Sequence, residues 1–335
     1  MKCYLQKLLV TECERQEREM QMRDDLGITI KLENGKAYLE FALPEKIGRL
    51  LSALQIEIWE EAEGGRLVFH GEYDPEEADC MTALLLRPHL WDGMRDPYVY
   101  LLKAQGRFGT VEVFWRQELA IYDVRVVDKK GIFLNEKEFL PHEVAYRLPP
   151  QISDAGTREE QMRRDLDRLA RMGVNTIRLE GTGYGTEEQD RCEVRAFYNL
   201  CRGRGFLTGD RWIRPEILPV YRGLPGETTT EALLEADGRT LTERYYYYQA
   251  KWSNEPVLYP ALSTLHRQEN GLLSLTIYSN QKKVVLYVDG VLFLFQSAAS
   301  GDPEFIFEDI PVAKLPLHLA AEAGNLSISL TVTKL

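Results

Sequence analysis

No apolar run in the 335 residues approaches the length of about 20 that spans a bilayer. The opening Met-Lys-Cys-Tyr-Leu-Gln-Lys has no apolar stretch of the kind that makes a secretory leader, so a cytoplasmic location is expected. Cysteine is sparse. The five, Cys3, Cys13, Cys80, Cys192 and Cys201, have neither an even count nor metal-ligand spacing, which argues for reduced thiols rather than disulfides or a zinc site. There is no clustered-histidine metal site and no Gly-x-Ser-x-Gly elbow. Gly181-Thr182-Gly183-Tyr184-Gly185 lacks the Lys-Ser/Thr of a P-loop and the full spacing of a dinucleotide fingerprint, so it reads as a loop and no cofactor is expected. Positive charge is in deficit. A formal net charge of -11 repels polyphosphate and anionic lipid, which argues against nucleic acid and membrane as partners and leaves neutral ligands such as sugars open.

With 44% hydrophobic and 28% charged residues the chain is an ordinary folded one, long enough for two or three domains. Asn34-Gly35 separates two alternating runs, Ile28, Ile30, Leu32 and Ala37, Leu39, Phe41, Leu43, which is a strong hairpin signal. Further short strands are expected near residues 54–58, 67–69, 84–86, 98–102 and 111–115, broken by Gly, Pro and Asp. That spacing predicts a β-sandwich over residues 1–128 with Trp91 as a plug at one end. After Pro256 strand periodicity returns, with Asp289-Gly290 as a second hairpin turn and a last strand through Leu326, Ile328, Leu330 and Val332. This predicts a second sandwich over residues 253–335.

Between them the period changes. Thr157 with Glu160 predicts a helix start, Met162, Leu166, Leu169 and Ala170 share its apolar face, and Gly173 stops it. A strand follows at 174–179. A second helix is expected from Thr186 and Gln189, with Ala196, Phe197, Leu200 and Cys201 inward, and a third strand at 206–208. Alternation of strand and helix makes parallel strands with right-handed crossovers. Residues 213–233 read as a Pro-rich loop. A last helix is expected from Thr240 and Glu243, with Leu241, Tyr245, Tyr248 and Trp252 on one face as core rather than a sugar-stacking platform.

Four motifs carry a resemblance. Gly173-Val174-Asn175-Thr176-Ile177-Arg178 follows an Arg163-Arg164-Asp165-Leu166 helix. Ile132-Phe133-Leu134-Asn135 precedes Pro141-His142-Glu143. Leu90-Trp91 precedes Asp96-Pro97-Tyr98-Val99-Tyr100. The run Tyr245 to Trp252 is followed by Glu255-Pro256-Val257. Taken in their order along the chain they resemble family 2 of the glycoside hydrolases, which includes β-galactosidases and β-glucuronidases. Tyr278-Ser279-Asn280 and the strand ending in Asp289-Gly290 are similar to the small sandwich after that family's barrel. The resemblance implies an immunoglobulin-like sandwich, a (β/α) barrel and a second immunoglobulin-like sandwich, and carbohydrate as the ligand class.

A closed (β/α)₈ barrel takes typically about 250 residues. Residues 129–252 hold only three expected strands, so the resemblance implies a truncated barrel without the fourth and seventh strands, which carry the family's two catalytic glutamates. Neither Asn135-Glu136 nor Asn254-Glu255 stands on a barrel strand. The remaining carboxylate candidates are Glu180 and Asp210, each just past a parallel strand, where neighbouring strands about 4.8 Å apart bring side chains within reach of each other. His142, Glu143, Tyr184 and Trp212 are the substrate-binding candidates, expected on the same C-terminal rim. The fold class is thus multidomain α+β. The function expected is carbohydrate binding or structural support without glycosidase turnover; the alternatives are a working retaining glycosidase and an assembly subunit that binds no sugar. Apolar surface left by a truncated barrel predicts a homodimer with its interface over residues 206–221.

Overall fold

The computed structural model describes residues 20–21, 26–43, 51–60, 65–74, 81–109, 111–127, 129–148, 155–180, 187–208, 219–222, 232–235, 237–299 and 301–334. It is mostly β-sheet with few helices, and divides into two compact units, residues 1–91 with 98–123 and residues 92–97 with 124–335.

The first unit holds two sheets. One contains β2 (Gly27–Glu33), β3 (Lys36–Ala42) and β6 (Met81–Leu86), in the order β2-β3-β6. The other contains β1 (Met20–Gln21), β4 (Ala53–Glu60), β5 (Leu67–Tyr73), β7 (Tyr100–Phe108) and β8 (Val111–Leu119), in the order β1-β8-β7-β4-β5. Their alternating inward residues form one core that includes Leu39, Phe41, Ile56, Ile58, Leu85, Leu102 and Trp115. The β2–β3 turn is built as the sequence predicts, with Asn34 and Gly35 both at positive φ. Trp91 is buried and packs its ring 4.9 Å from that of Tyr122.

The second unit begins with an antiparallel trio, β9 (Val124–Val127), β10 (Gly131–Leu134) and β11 (Lys137–Phe139). A five-stranded parallel sheet follows, made of β12 (Glu143–Tyr146), β13 (Thr176–Leu179), β14 (Leu207–Thr208), β15 (Val220–Arg222) and β16 (Ala232–Leu234), in the order β14-β13-β12-β15-β16. Among the described residues five strands are present, not three: β15 lies inside the expected loop over 213–233 and β16 overlaps its end. Three-residue strands show no hydrophobic period of their own and take their form from pairing, β15 with β12 through Ala145 and Val220.

Helix α1 (Ala155–Met172) joins β12 to β13, α2 (Glu187–Gly203) joins β13 to β14, and α3 (Glu243–Trp252) follows β16. Two expected helix starts are corrected. Thr157 lies inside α1, and Thr240 serves a turn before α3: its hydroxyl and N–H, with the Arg239 N–H, donate to Asp237 and hold that carboxylate down to about pKa 2. Leu241 therefore precedes α3. The tyrosine run is packing, as expected: Tyr245 is buried and donates to the Arg168 carbonyl at 3.2 Å, and Tyr246 stacks on Tyr259 at 3.8 Å.

The C-terminal strands form two sheets over one core. One has β17 (Leu258–Arg267), β18 (Leu273–Ser279) and β21 (Glu304–Ile310); the other has β20 (Val291–Ser297), β19 (Lys283–Val288), β22 (Leu317–Ala323) and β23 (Leu326–Val332) in that spatial order. Ile277, Phe305 and Phe307 from the first meet Val284, Leu286 and Leu319 from the second.

Gly173, between α1 and β13, has φ +88°, and a Cβ there would stand 2.4 Å from the Trp252 carbonyl oxygen. Backbone cannot yield as a flexible side chain can. Gly173→Ala is expected to lose at least about 2 kcal/mol, read as a lower denaturant midpoint.

Candidate functional site

Alternation along the parallel strands gives the sheet two unlike faces. Val144 and Tyr146 of β12, Ile177 and Leu179 of β13 and Tyr221 of β15 join the core under α1 and α2 with Leu166, Leu169 and Phe197. Glu143 and Ala145, with Thr176 and Arg178, stand on the other face in register, Glu143 beside Thr176 and Ala145 beside Arg178.

That second face carries a chain of charges. Arg178 Nε lies 3.9 Å from Glu143 Oε1 and its Nη2 donates to Glu180 Oε1 at 3.2 Å, while Arg147 Nη2 lies 3.8 Å from Glu180 Oε2. Glu143 is 4% exposed, and among the described residues neither of its carboxylate oxygens has a hydrogen-bond partner. A buried acceptor pair left unmade is a costly feature that native proteins seldom keep without a use. Burial raises the Glu143 pKa; Arg178 opposes that shift and Glu180 adds to it. The cluster is open at its other end, because Arg178, Glu180 and Arg147 are each about a quarter to a third exposed.

The sign of the Glu143 effect is testable. A carboxyl whose pKa is higher folded than unfolded binds more protons in the folded state, so its contribution to stability falls as pH rises above the unfolded value of about 4.3. Glu143→Gln cannot ionise. The thermal midpoint of this variant relative to wild type is expected to improve steadily from about pH 4 to about pH 7, and a difference that stays flat would contradict the assignment.

Behind the sheet lies a second buried carboxylate. Asp165 of α1 accepts from the Tyr146 hydroxyl at 2.9 Å, the Tyr221 hydroxyl at 2.9 Å and Gln161 Nε2 at 2.8 Å, with Arg222 Nη2 at 3.4 Å and Arg168 Nη1 at 4.0 Å. Burial and the neighbouring carboxylate push the hydroxyls of both tyrosines well above their ordinary pKa. The Asp165 carboxylate is satisfied and buried, so it holds structure together rather than awaiting a ligand.

The expected site residues separate. Glu180 and Glu143 meet at Arg178. Neither His142 nor Glu143 lies on the C-terminal rim: Glu143 is the first residue of β12 and His142 precedes it, at the N-terminal end of the parallel strands, where the His142 Nδ1 lies 2.9 Å from the Gly173 carbonyl and its ring stacks on Trp252 at 5.2 Å. Burial lowers its pKa, opposed by the Gly173 bond. The His-Glu motif places two adjacent residues, but only the second starts the strand. Asp210, Tyr184 and Trp212 lie outside the described residues. Of the expected interface over 206–221, Phe206, Leu207 and Tyr221 are buried within their own chain, and residues 209–218 lie outside the described residues. Cys201 is a buried free thiol whose pKa burial raises. Among the described residues no three His, Cys, Asp or Glu side chains group as a metal site, and no helix is long and apolar enough to cross a membrane. Sequence reasoning missed Arg178, Arg147 and Asp165 as partners. A signal existed for two of them: Arg178 interrupts the apolar pair Ile177 and Leu179, and Asp165 sits inside the apolar stripe of Met162, Leu166 and Leu169.

No protein-family model matches the sequence, and no curated protein matches it. Solved structures do. An FMN-binding β-glucuronidase from Facaelibacterium prausnitzii L2-6 superposes over 92% of this chain and 73% of its own, with TM-score 0.65 and 13% identity. A β-glycosidase from Bacteroides vulgatus matches over 92% and 64%, with TM-score 0.64 and 12% identity. A Bacteroides uniformis β-glucuronidase matches over 92% and 60%, with TM-score 0.61 and 13% identity. The chain therefore has the fold of these glycosidases, in agreement with the family that its motifs resemble, and spans only part of their length.

Proposed function

We propose that the chain is a family-2-like protein that binds carbohydrate on the Glu143–Arg178–Glu180 face without hydrolysing it. The layout that goes with this reading is an immunoglobulin-like sandwich over residues 1–128, a reduced (β/α) barrel over 129–252 and a second immunoglobulin-like sandwich over 253–335. The observation that carries it is the buried carboxylate of Glu143, which has no hydrogen-bond partner among the described residues and lies 3.9 Å from an arginine shared with Glu180. Sugar hydroxyls both donate and accept, so a vicinal pair can complete the bonds that Glu143 and the Arg178 Nε lack. Arginine offers a planar fork to such a pair.

Two features support binding over turnover. Retaining glycosidases hold two carboxylates about 5–5.5 Å apart on either side of the bond to be cut. Here one guanidinium stands between Glu143 and Glu180 and engages both. The parallel sheet also has five strands among the described residues, against the eight of a closed barrel.

Titration with galactose and with glucuronic acid, followed by NMR of the protein, tests the proposal. Saturable shifts are expected for at least one sugar, weakened roughly tenfold or more by Arg178→Ala. Shifts that never saturate for either sugar would favour the assembly-subunit reading instead.

A further inference from the structure

The C-terminal sheets leave one side that does not look like a surface meant for water. Among the described residues, strand β20 is the edge of its sheet, paired only with β19. Its sequence, Val291-Leu292-Phe293-Leu294-Phe295, is apolar on both faces. Val291 is 69% exposed, Leu292 56%, Leu294 42% and Phe295 54%, and beside them Ile306, on the edge strand β21 of the facing sheet, is 49% exposed. The Gln296 amide donates to the Ile306 carbonyl, so the two edges lie together as one seam.

The opposite edge of the same sheet shows what an ordinary boundary is. In β23, Leu326, Ile328 and Leu330 alternate with Ser327, Ser329 and Thr331, the polar set outward. Exposed edges are normally guarded by charge, proline or a bulge. β20 has a register shift opposite Leu286 and Tyr287, but residues 290–301 contain no charged residue and no proline. Lys283 on β19 lies with its Nζ 3.9 Å from the Phe295 ring centroid, covering part of one ring and none of the others.

We infer that the β20–β21 seam is a homodimer interface, formed when β20 of one copy runs antiparallel to β20 of a second copy about a two-fold axis. Area favours a second copy as the occupant. The five side chains expose on the order of 500 Å² per copy, so a self-pairing hides about 1,000 Å² before backbone is counted, near the lower bound for a specific interface. Charge favours the antiparallel sense. Lys282 and Lys283 lie at the Ser297 end of the hairpin and Asp289 at the Val291 end, so antiparallel copies set the lysine end of one beside the aspartate end of the other. Parallel copies would set like charge against like. A two-fold axis also closes the assembly, because each copy uses the same patch and none is left to recruit a third. β20 itself brings no charge to the contact, whereas β21 carries exposed Glu304 and Glu308 on either side of Ile306, so it is the β20 edges that meet and the β21 acids stay at the margin.

Light scattering of the full chain over a dilution series tests this. The wild type is expected to show dimer mass at high concentration and to dissociate on dilution. Leu292→Lys is expected to raise the dissociation constant at least about tenfold, whereas Val126→Lys, at an exposed apolar position on β9, should leave it unchanged. Circular dichroism checks that the variant is folded; if Leu292→Lys is not, Leu292→Thr, which keeps strand propensity, takes its place with the same expectation. A wild type that is monomeric at every concentration overturns the inference. So does a dimer that folded Leu292 variants leave intact.

Discussion

Asp165→Ala is expected to lower stability by about 3–5 kcal/mol, the range for removing one partner from a buried charged network. The carboxylate is almost wholly buried and is the common acceptor for Tyr146 and Tyr221, which stand on adjacent parallel strands. Remove it and two buried hydroxyls lose their acceptor, while Arg222 and Arg168 keep positive charge next to an apolar core. The loss should centre on the parallel sheet, since β15 pairs with β12 through a single register position and depends on Tyr221 for anchorage. Asp165→Asn keeps an acceptor oxygen but loses the charge, so a smaller loss is expected. Denaturant unfolding with tyrosine fluorescence and far-ultraviolet circular dichroism checks both. An alanine variant within about 1 kcal/mol of wild type would show that the network is incidental.

Much of this fold is legible in the sequence where a residue's local chemistry decides. Asn34-Gly35 and Asp289-Gly290 supply positive φ for tight hairpins, and both occur as expected. The alternation of strand and helix over 139–208 announces β12, α1, β13, α2 and β14. What escaped is decided by partners far away in the chain. β15 and β16 are three residues each and exist because β12 offers an edge; no periodicity marks them. Thr157 and Glu160 form a valid capping pattern, yet α1 extends to Ala155, which a capping pattern by itself could not foretell. The candidate site shows the same division. Glu143 and Glu180 were visible as carboxylates near strand ends, but their common arginine follows from the register of β12 on β13, which sets Glu143 beside Thr176 and so one step from Arg178.

The second large effect concerns turnover, and here the expected result is its absence. Glycosidic bonds are cleaved by a general acid and a nucleophile held free to reach the anomeric centre from two sides, and removing such groups costs several orders of magnitude in rate. In this chain Glu180 is engaged by Arg178 and Arg147, and Glu143 is buried beyond the same guanidinium. One observation favours the opposite outcome: burial raises the pKa of Glu143, the direction that a general acid requires. The decisive measurement is NMR of an aryl β-glucuronide and an aryl β-galactoside incubated with the protein, with ligand and aglycone signals followed together. The binding account expects saturable changes in at least one ligand's signals, reduced by Arg178→Ala, with the aryl group still attached after prolonged incubation. Release of the aglycone by wild type, abolished in Glu180→Gln, would contradict it and make the chain a working glycosidase.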